Sequence, residues 1–220
     1  MKTETKNNSK PVKKKVRKPQ SHQVRIIGGL WKRTTLTVAD AEGLRPTPDR
    51  VRETVFNWIG HLRGADWGST KCLDLFAGTG ALGFEAASRG AAQVTMIEAT
   101  TPIFLQLEAV KAKLNALQVN LVRADALRAA QAMAERGQQF DVIFLDPPYQ
   151  QDLLPKALSA CLPLLAKNGL VYAEFSSPLD RKEGEEALEF MADWEIIRAD
   201  KAGMVFYYLL QSKKSADIQA

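Results

Sequence analysis

Cysteine is scarce in this chain: 220 residues contain two, Cys72 and Cys161. Each sits inside an apolar run and neither has a partner at metal-ligand spacing, which argues against a disulfide scaffold or a thiolate metal centre. Both read as buried reduced thiols, the usage of a reducing compartment. Histidine is equally sparse, and neither His22 nor His61 has a partner in the sequence that would give it a role. Apolar runs are short and interrupted, too short to span a bilayer. No apolar segment follows the basic start, as a secretory signal would require. A cytoplasmic location is the expectation.

The first 25 residues also lack acid. They hold nine Lys or Arg against Glu4 alone, a net +8; the whole chain is +5, so residues 26–220 carry −3. The basic balance belongs to the N-terminal stretch and not to the body. Large apolar side chains are nearly missing from residues 1–22, so this stretch cannot bury enough surface to fold alone and reads as a disordered basic arm. It serves either as a solubilising tail or as an arm that neutralises phosphates.

What is present is a globular composition, 45% hydrophobic, in a length that fits one domain plus an appendage and can bury a proper core. Its organising stretch is residues 74–83, Asp-Leu-Phe-Ala-Gly-Thr-Gly-Ala-Leu-Gly. An apolar strand over 72–76 runs into Gly78, Gly80 and Gly83, and a helix-forming run follows over 81–88. Glycines at such a turn let the backbone approach a bulky ligand, and the helix N-terminus offers unpaired N–H groups. Roughly 20 residues further on, a second apolar strand ends in Glu98, placed to accept hydrogen bonds from both hydroxyls of a ribose. The spacing is literally G-x-G-x-x-G, a pattern of NAD and FAD sites that many ligand-free turns share.

Ahead of this lies an extension. Residues 24–27 and 30–36 read as a hairpin around a Gly28-Gly29 turn. Trp31, Lys32 and Arg33 set an aromatic ring beside two cations, suited to stacking on bases or gripping a phosphate, or else Trp31 covers the core. Thr47 reads as the N-cap of a helix with Pro48 at its first position. Val51, Val55 and Trp58 recur at helical spacing and should face the core. On spacing alone, Arg45, Arg50, Arg52 and Glu53 form a solvated face.

From residue 72 the pattern is β-α-β-α. Strands are expected over 72–76, 93–97, 120–123, 142–145 and 170–175, and helices over 81–88, 102–117, 127–136 and 153–167. Thr101 caps the second helix, and Phe104, Leu107, Val110, Leu114 and Leu117 line its buried face. After a polar helix near 183–191, strands over 195–198 and 205–210 are joined by a connection too short for a helical crossover, so they are antiparallel. A mostly parallel sheet finished by an antiparallel hairpin is the strand pattern of S-adenosylmethionine (SAM) methyltransferases.

Asp146, Pro147, Pro148 and Tyr149 stand at the C-terminal end of the fourth parallel strand, the edge at which such sheets bind ligands. Two prolines remove two backbone donors. The cleft is left with carbonyl oxygen, a carboxylate and a phenol ring, which suit a planar group bearing an NH₂. Hydrogen bonds that strengthen as such a nitrogen becomes tetrahedral favour the transition state.

These segments resemble the cofactor loop, ribose acid and catalytic tetrapeptide of SAM-dependent amino-methyltransferases. Within that group, Arg25-Ile26-Ile27-Gly28-Gly29, Arg45-Pro46-Thr47 and Arg50-Val51-Arg52-Glu53-Thr54-Val55-Phe56-Asn57-Trp58 resemble the 16S ribosomal RNA guanine-N2 methyltransferase (RsmD) family over about residues 24–210. The resemblance implies an α/β, Rossmann-like SAM-dependent methyltransferase fold: a mostly parallel seven-stranded sheet with a C-terminal antiparallel hairpin and a small N-terminal hairpin and helix extension. It implies SAM as cofactor and methyl transfer to N2 of a guanine in 16S rRNA of the assembling small subunit. Asp74, Phe76, Ala77, Gly78, Thr79 and Gly80 would hold the methionine end, Glu98 the ribose, and Asp125 with Ala126 the adenine. Asp146, Pro147, Pro148 and Tyr149 would be catalytic, and Arg45, Thr47, Trp31, Lys32 and Arg33 would contact substrate. No metal is expected.

The division expected is an arm over 1–22, the extension over 23–62, the methyltransferase domain over 63–212 and a tail over 213–220, in a monomer. The tetrapeptide is shared with DNA adenine and protein glutamine methyltransferases, so adenine N6 or a glutamine amide is the alternative target. An NAD-dependent oxidoreductase and a non-catalytic RNA-binding factor are competing classes. The first leaves the tetrapeptide unexplained.

Overall fold

A computed structural model describes residues 24–36, 47–148, 153–179 and 188–215. The basic arm, Arg45, Tyr149, most of the expected polar helix near 183–191 and the last residues of the tail lie outside the described residues.

A seven-stranded sheet organises the molecule. Its strands are β3 (Lys71–Asp74), β4 (Gln93–Glu98), β5 (Val119–Arg123), β6 (Phe140–Leu145), β7 (Leu165–Phe175), β8 (Trp194–Ala202) and β9 (Val205–Ser212), in the order β5-β4-β3-β6-β7-β9-β8. The first five are parallel to one another, while β9 runs antiparallel to both β7 and β8. This is the expected sheet with its terminal hairpin. The crossovers are α2 (Ala81–Ser88), α3 (Thr101–Leu114), α4 (Ala126–Glu135) and α5 (Leu153–Cys161). Strands flanked by helices on both faces become apolar throughout, and Val142, Ile143, Phe144 and Leu145 of β6 are all fully buried.

Two hydrophobic cores lie on the two faces. One packs β1 (Val24–Arg25), β2 (Thr35–Leu36), α1 (Asp49–Leu62), α2 and α3 against Cys72, Val94, Val142 and Tyr172. The other packs α4 and α5 against Leu73, Ile143 and Val171. Alternation along a strand assigns Asp74, Asp146 and Glu174 to the first face, two residues on from Cys72, Phe144 and Tyr172. The crossing point of β3 and β6, where the strand order reverses, lies under the glycine loop, as expected for a ligand site in an open α/β sheet.

Several local expectations are corrected. The chain does not turn at Gly28-Gly29: β1 pairs with β2 at Val24–Leu36 and Arg25–Thr35, and Ile26 and Arg33 close a longer turn over 27–33. Gly29 has φ +74°, and a Cβ there would collide with the Ser88 carbonyl at the end of α2. Its glycine serves a close backbone approach, not a two-residue hairpin. Helix α1 begins at Asp49 with Pro48 as N-cap, so Thr47 stands outside it and makes no cap. Arg52 is not solvated but fully buried, whereas Arg50 and Glu53 are exposed.

Helix α3 starts at Thr101 after the N-cap Thr100 and ends at Asn115 in the left-handed region, which leaves Leu117 exposed. The helix expected over 153–167 stops at Cys161 because Pro163 cannot continue it. A single 3-10 turn follows, and β7 starts at Leu165, five residues earlier than the pattern suggests. Residues 166–169 form an irregularity inside β7, with Asn168 at φ +60°. Only a 3-10 turn, Glu189–Met191, is described where the polar helix was expected. Among the described residues no helix is long and apolar enough to cross a membrane.

Candidate active site

Acids gather where the parallel strands end. The last residue of β3 is Asp74 and of β4 is Glu98; Asp146 follows β6, and Glu174 is the penultimate residue of β7. An apolar strand that ends in an acid delivers the carboxylate to the ligand edge without burying it mid-sheet.

Asp74 is buried, and its Oδ2 accepts a hydrogen bond from the Gly83 N–H at 3.0 Å. Loss of hydration pushes its pKa up to about 7, against the opposing pull of the Gly83 N–H, with the Glu98 charge adding to the rise. The α2 N-terminus is therefore already occupied: Gly83 serves Asp74, and Ala81 N–H reaches the Thr79 hydroxyl at 3.3 Å. Gly78 and Gly80 both adopt positive φ, +49° and +76°. A Cβ at Gly80 would come within 2.6 Å of the Phe84 ring, so this glycine lets the loop fold back on its own helix. Gly83 is likewise needed for contact with Met96. Phe76 is half-buried against the second core, and Ala77 is buried, its N–H bonded to the Ile97 carbonyl.

Glu98 ties the loop to the neighbouring strand. Its Oε2 accepts from Gly78 N–H at 3.0 Å and its Oε1 from Thr100 N–H at 2.7 Å. Each oxygen keeps a lone pair for a further donor. Asp125 is the N-cap of α4, its Oδ1 accepting from Arg128 N–H at 3.0 Å, with Ala126 buried behind it. One carboxylate oxygen of Asp125 is used by the helix and the other is left for a ligand.

Asp146 is half-buried, Pro147 buried and Pro148 exposed. The Asp146 carboxyl is held well above its ordinary range by loss of hydration first and by the Glu174 and Asp74 charges next, against a hydrogen bond with Thr47. Thr47 is buried and reaches two acids: its Oγ1 lies 2.8 Å from Glu174 Oε1 and 3.3 Å from Asp146 Oδ2. Tyr172 donates to the same Glu174 oxygen at 2.7 Å. Among the described residues these acids do not form a cluster able to hold a metal ion.

A buried arginine fixes Thr47. Arg52 Nε donates to the Thr47 carbonyl at 3.3 Å, and Nη2 to the Arg25 carbonyl at 2.8 Å and to Asp49 Oδ1 at 2.6 Å. Its Nη1 stands 3.8 Å from Glu85 Oε2, both side chains being fully buried. Glu85 in turn accepts from the Ile27 and Gly28 N–H groups and from Arg89 Nε. Arg52 and Glu85 thus clip the N-terminal turn, α1 and α2 together.

Trp31, Lys32 and Arg33 are not brought to this edge. Their turn rests on the last residues of α2, with Trp31 N–H donating to the Ser88 hydroxyl at 2.9 Å, and α2 starts at the cleft and runs away from it. Trp31 is half-buried against the first core, and Lys32 and Arg33 are exposed. Sequence reasoning misses Glu174 and Glu85 and puts Arg52 on a solvated face. The Tyr172-Ala173-Glu174 ending of an apolar strand repeats the sign that marked Glu98 and could have found the first; nothing local marks the buried pair.

Known proteins share this architecture. Residues 24–211 match the family model described as conserved hypothetical protein 95. Ribosomal RNA small subunit methyltransferase D of Escherichia coli strain K12 is 38% identical over 207 residues, covering 91% of this chain and 96% of that protein. The protein of the same name from Haemophilus influenzae is 36% identical over 206 residues, covering 90% and 100%. The solved structure of yhhF from Escherichia coli superposes with a TM-score of 0.71 at 36% identity, over 87% of this chain and 98% of that one. Matched from its first described strand to its last, the chain belongs to the conserved hypothetical protein 95 family, the RsmD family that its motifs resemble.

Proposed function

We propose that this chain transfers a methyl group from SAM to the exocyclic N2 amine of a guanine in 16S rRNA. The observation that carries the reading is the row of acids Asp74, Glu98 and Asp146 at one sheet edge, in a chain whose relatives are named ribosomal RNA small subunit methyltransferase D. The acceptor set fits the cofactor, whose amino and sulfonium groups are cationic and whose ribose hydroxyls and adenine amine are donors. Asp74 and the 76–80 backbone would take the methionine end, Glu98 the ribose with its remaining lone pairs, and Asp125 with Ala126 the adenine. When bound, the cofactor supplies an electrophilic methyl carbon.

The chain's own residues supply positioning and charge. The Asp146 carboxylate and the Pro147 carbonyl accept the hydrogens of the target amine, and Pro147 and Pro148 offer no backbone N–H to compete. An amine on a base is a poor nucleophile while its lone pair is delocalised. Its bond to Asp146 strengthens as the nitrogen pyramidalises and gains positive charge, so the interaction is worth most in the transition state. Asp146 then takes the proton that the methylated nitrogen sheds. The base must leave its stack to reach this edge, which suits a looped-out guanine. Tyr149 would supply the aromatic wall for the base, and Arg45 with Thr47 would grip the substrate.

The test is nucleoside mass spectrometry of rRNA incubated with the protein and methyl-labelled SAM, with naked rRNA and isolated small subunits in parallel. Label in 2-methylguanine is the expected result. Label in methyladenine, or in protein glutamine and not RNA, would overturn the target while keeping the chemistry.

A further inference from the structure

Thr47 poses a counting problem. Its hydroxyl carries one hydrogen but lies within bonding distance of two carboxyl groups, Glu174 and Asp146. The shorter contact, to a Glu174 oxygen that also receives the Tyr172 hydroxyl, takes the hydrogen. Glu174 thus competes with Asp146 for the one Thr47 hydrogen, which leaves Asp146 the longer, weaker share of a bond that favours its carboxylate. Pairing levels Asp146 with Glu174, since Phe144 and Leu145 of β6 face Tyr172 and Ala173 of β7.

We propose that Glu174 is a positioning residue for methyl transfer, acting through the Thr47 hydroxyl to orient Asp146 and to fix when Asp146 holds a proton. The inference rests on the methyltransferase reading of the site. A cationic ligand entering the cleft drives the proton off Asp146, which leaves a carboxylate facing the amine. During transfer the N–C bond forms and the S–C bond breaks with its electron pair left on sulfur. The positive charge moves to the nitrogen, and the nitrogen loses its proton to Asp146 Oδ. With the positive charge gone from the cleft, the neighbouring Glu174 charge again favours the protonated Asp146. The proton leaves to solvent when the next cation binds.

Among the described residues, the groups that face Asp146 are Asp74 from β3, Glu174 from β7 and Thr47 from the segment before α1. Behind them stand Glu98 beside Asp74, Tyr172 on Glu174, Arg52 on the Thr47 carbonyl, and Tyr207 of β9 paired opposite Glu174 with its hydroxyl on Asp200. Glu174→Gln removes a like charge and so lowers the proton affinity of Asp146. Thr47→Val removes a hydrogen bond that favours the Asp146 carboxylate and so raises it. Thr47→Ser keeps the hydroxyl.

The measurement is the carboxyl-carbon NMR titration of Asp146 in the ligand-free protein, assigned by its loss in Asp146→Asn, alongside the pH dependence of kcat. The midpoint is expected to fall in Glu174→Gln, rise in Thr47→Val and return toward the parent in Thr47→Ser. The acid limb of kcat should move the same ways. Glu174→Gln should lose about tenfold or more in kcat, as for an impaired proton acceptor, with the KM for SAM within about twofold. Midpoints that stay still, or that move in one direction for both variants, overturn the proposal. A parent protein that places no label in rRNA would remove the substrate reading, while the midpoints would still decide the coupling.

Discussion

Asp146 is the residue on which the chemistry turns, and its environment makes separable predictions. Asp146→Asn keeps the shape of the side chain and should lower kcat by about 10²–10³, the cost typical of losing one transition-state acceptor. Its dissociation constant for S-adenosylhomocysteine should stay within about threefold of the parent, measured by calorimetry. Asp74 has its own signature. Folding raises its pKa from the ordinary 3.8 to about 7. Between those values the native state holds a proton that the unfolded chain has lost, so stability falls as pH rises through this window and levels off above it. Urea midpoints from pH 4 to 8 should therefore decline less in Asp74→Asn than in the parent. Cationic SAM reverses the balance by favouring the ionised acids, so its affinity should rise from pH 6 to 8, with proton release detectable in buffers of different ionisation heat. An affinity independent of pH would place the cations away from Asp74 and Asp146.

At the scale of elements, the start of α1 is an organising device that the helical pattern did not disclose. The periodicity of Val51 and Val55 correctly gives a buried face, and both are buried. The same pattern places Arg52 outside, because hydropathy cannot see that the Arg25 carbonyl, the Thr47 carbonyl and the Asp49 carboxylate meet there. Arg52→Met should cost about 1–3 kcal/mol in urea unfolding, since it leaves the Thr47 and Arg25 carbonyls without their donor. It should also reduce kcat by loosening Thr47. Thr47 itself has the composition of an N-cap, but its hydroxyl is committed to Glu174, a residue 127 positions away. The helix expected through residue 167 failed for a local reason: an apolar run suits strand and helix alike, and Pro163 marks the break.

On the scale of the whole molecule, the sheet separates binding from stability. Acids stand at one edge, and the turn carrying Trp31, Lys32 and Arg33 sits at the far end of α2. The arm joins the body at Val24, and the next residue, Arg25, is bonded through its side chain to Asp49 at 3.1 Å, two residues from Thr47. Residues 1–25 carry +8, against −3 for residues 26–220. Deleting residues 1–22 should weaken RNA binding. It should also flatten the salt dependence by about 0.7–0.9 in the log–log slope for each phosphate that the arm neutralises, with SAM affinity unchanged. An unaltered slope would make the arm a solubilising tail.

The sheet and its order of elements are legible in the chain before any coordinates. Alternating apolar strands and amphipathic helices joined by glycine turns admit few packings, and the short connection expected between residues 198 and 205 is too short for a helical crossover, so that pair is antiparallel. Asp74, the glycine loop, Glu98 and Asp146 are marked in the same way, since each lies at the end of an apolar strand and is read within a few residues. Which of the polar residues outside those motifs meet is a matter for the folded molecule. Glu174 reaches Asp146 because β6 and β7 are neighbours in the sheet. Thr47 reaches both because Arg52 and Glu85 pin the segment before α1 over that edge. Such meetings depend on strand order, register and a buried ion pair, which are properties of the whole packing and leave no periodic trace in the chain.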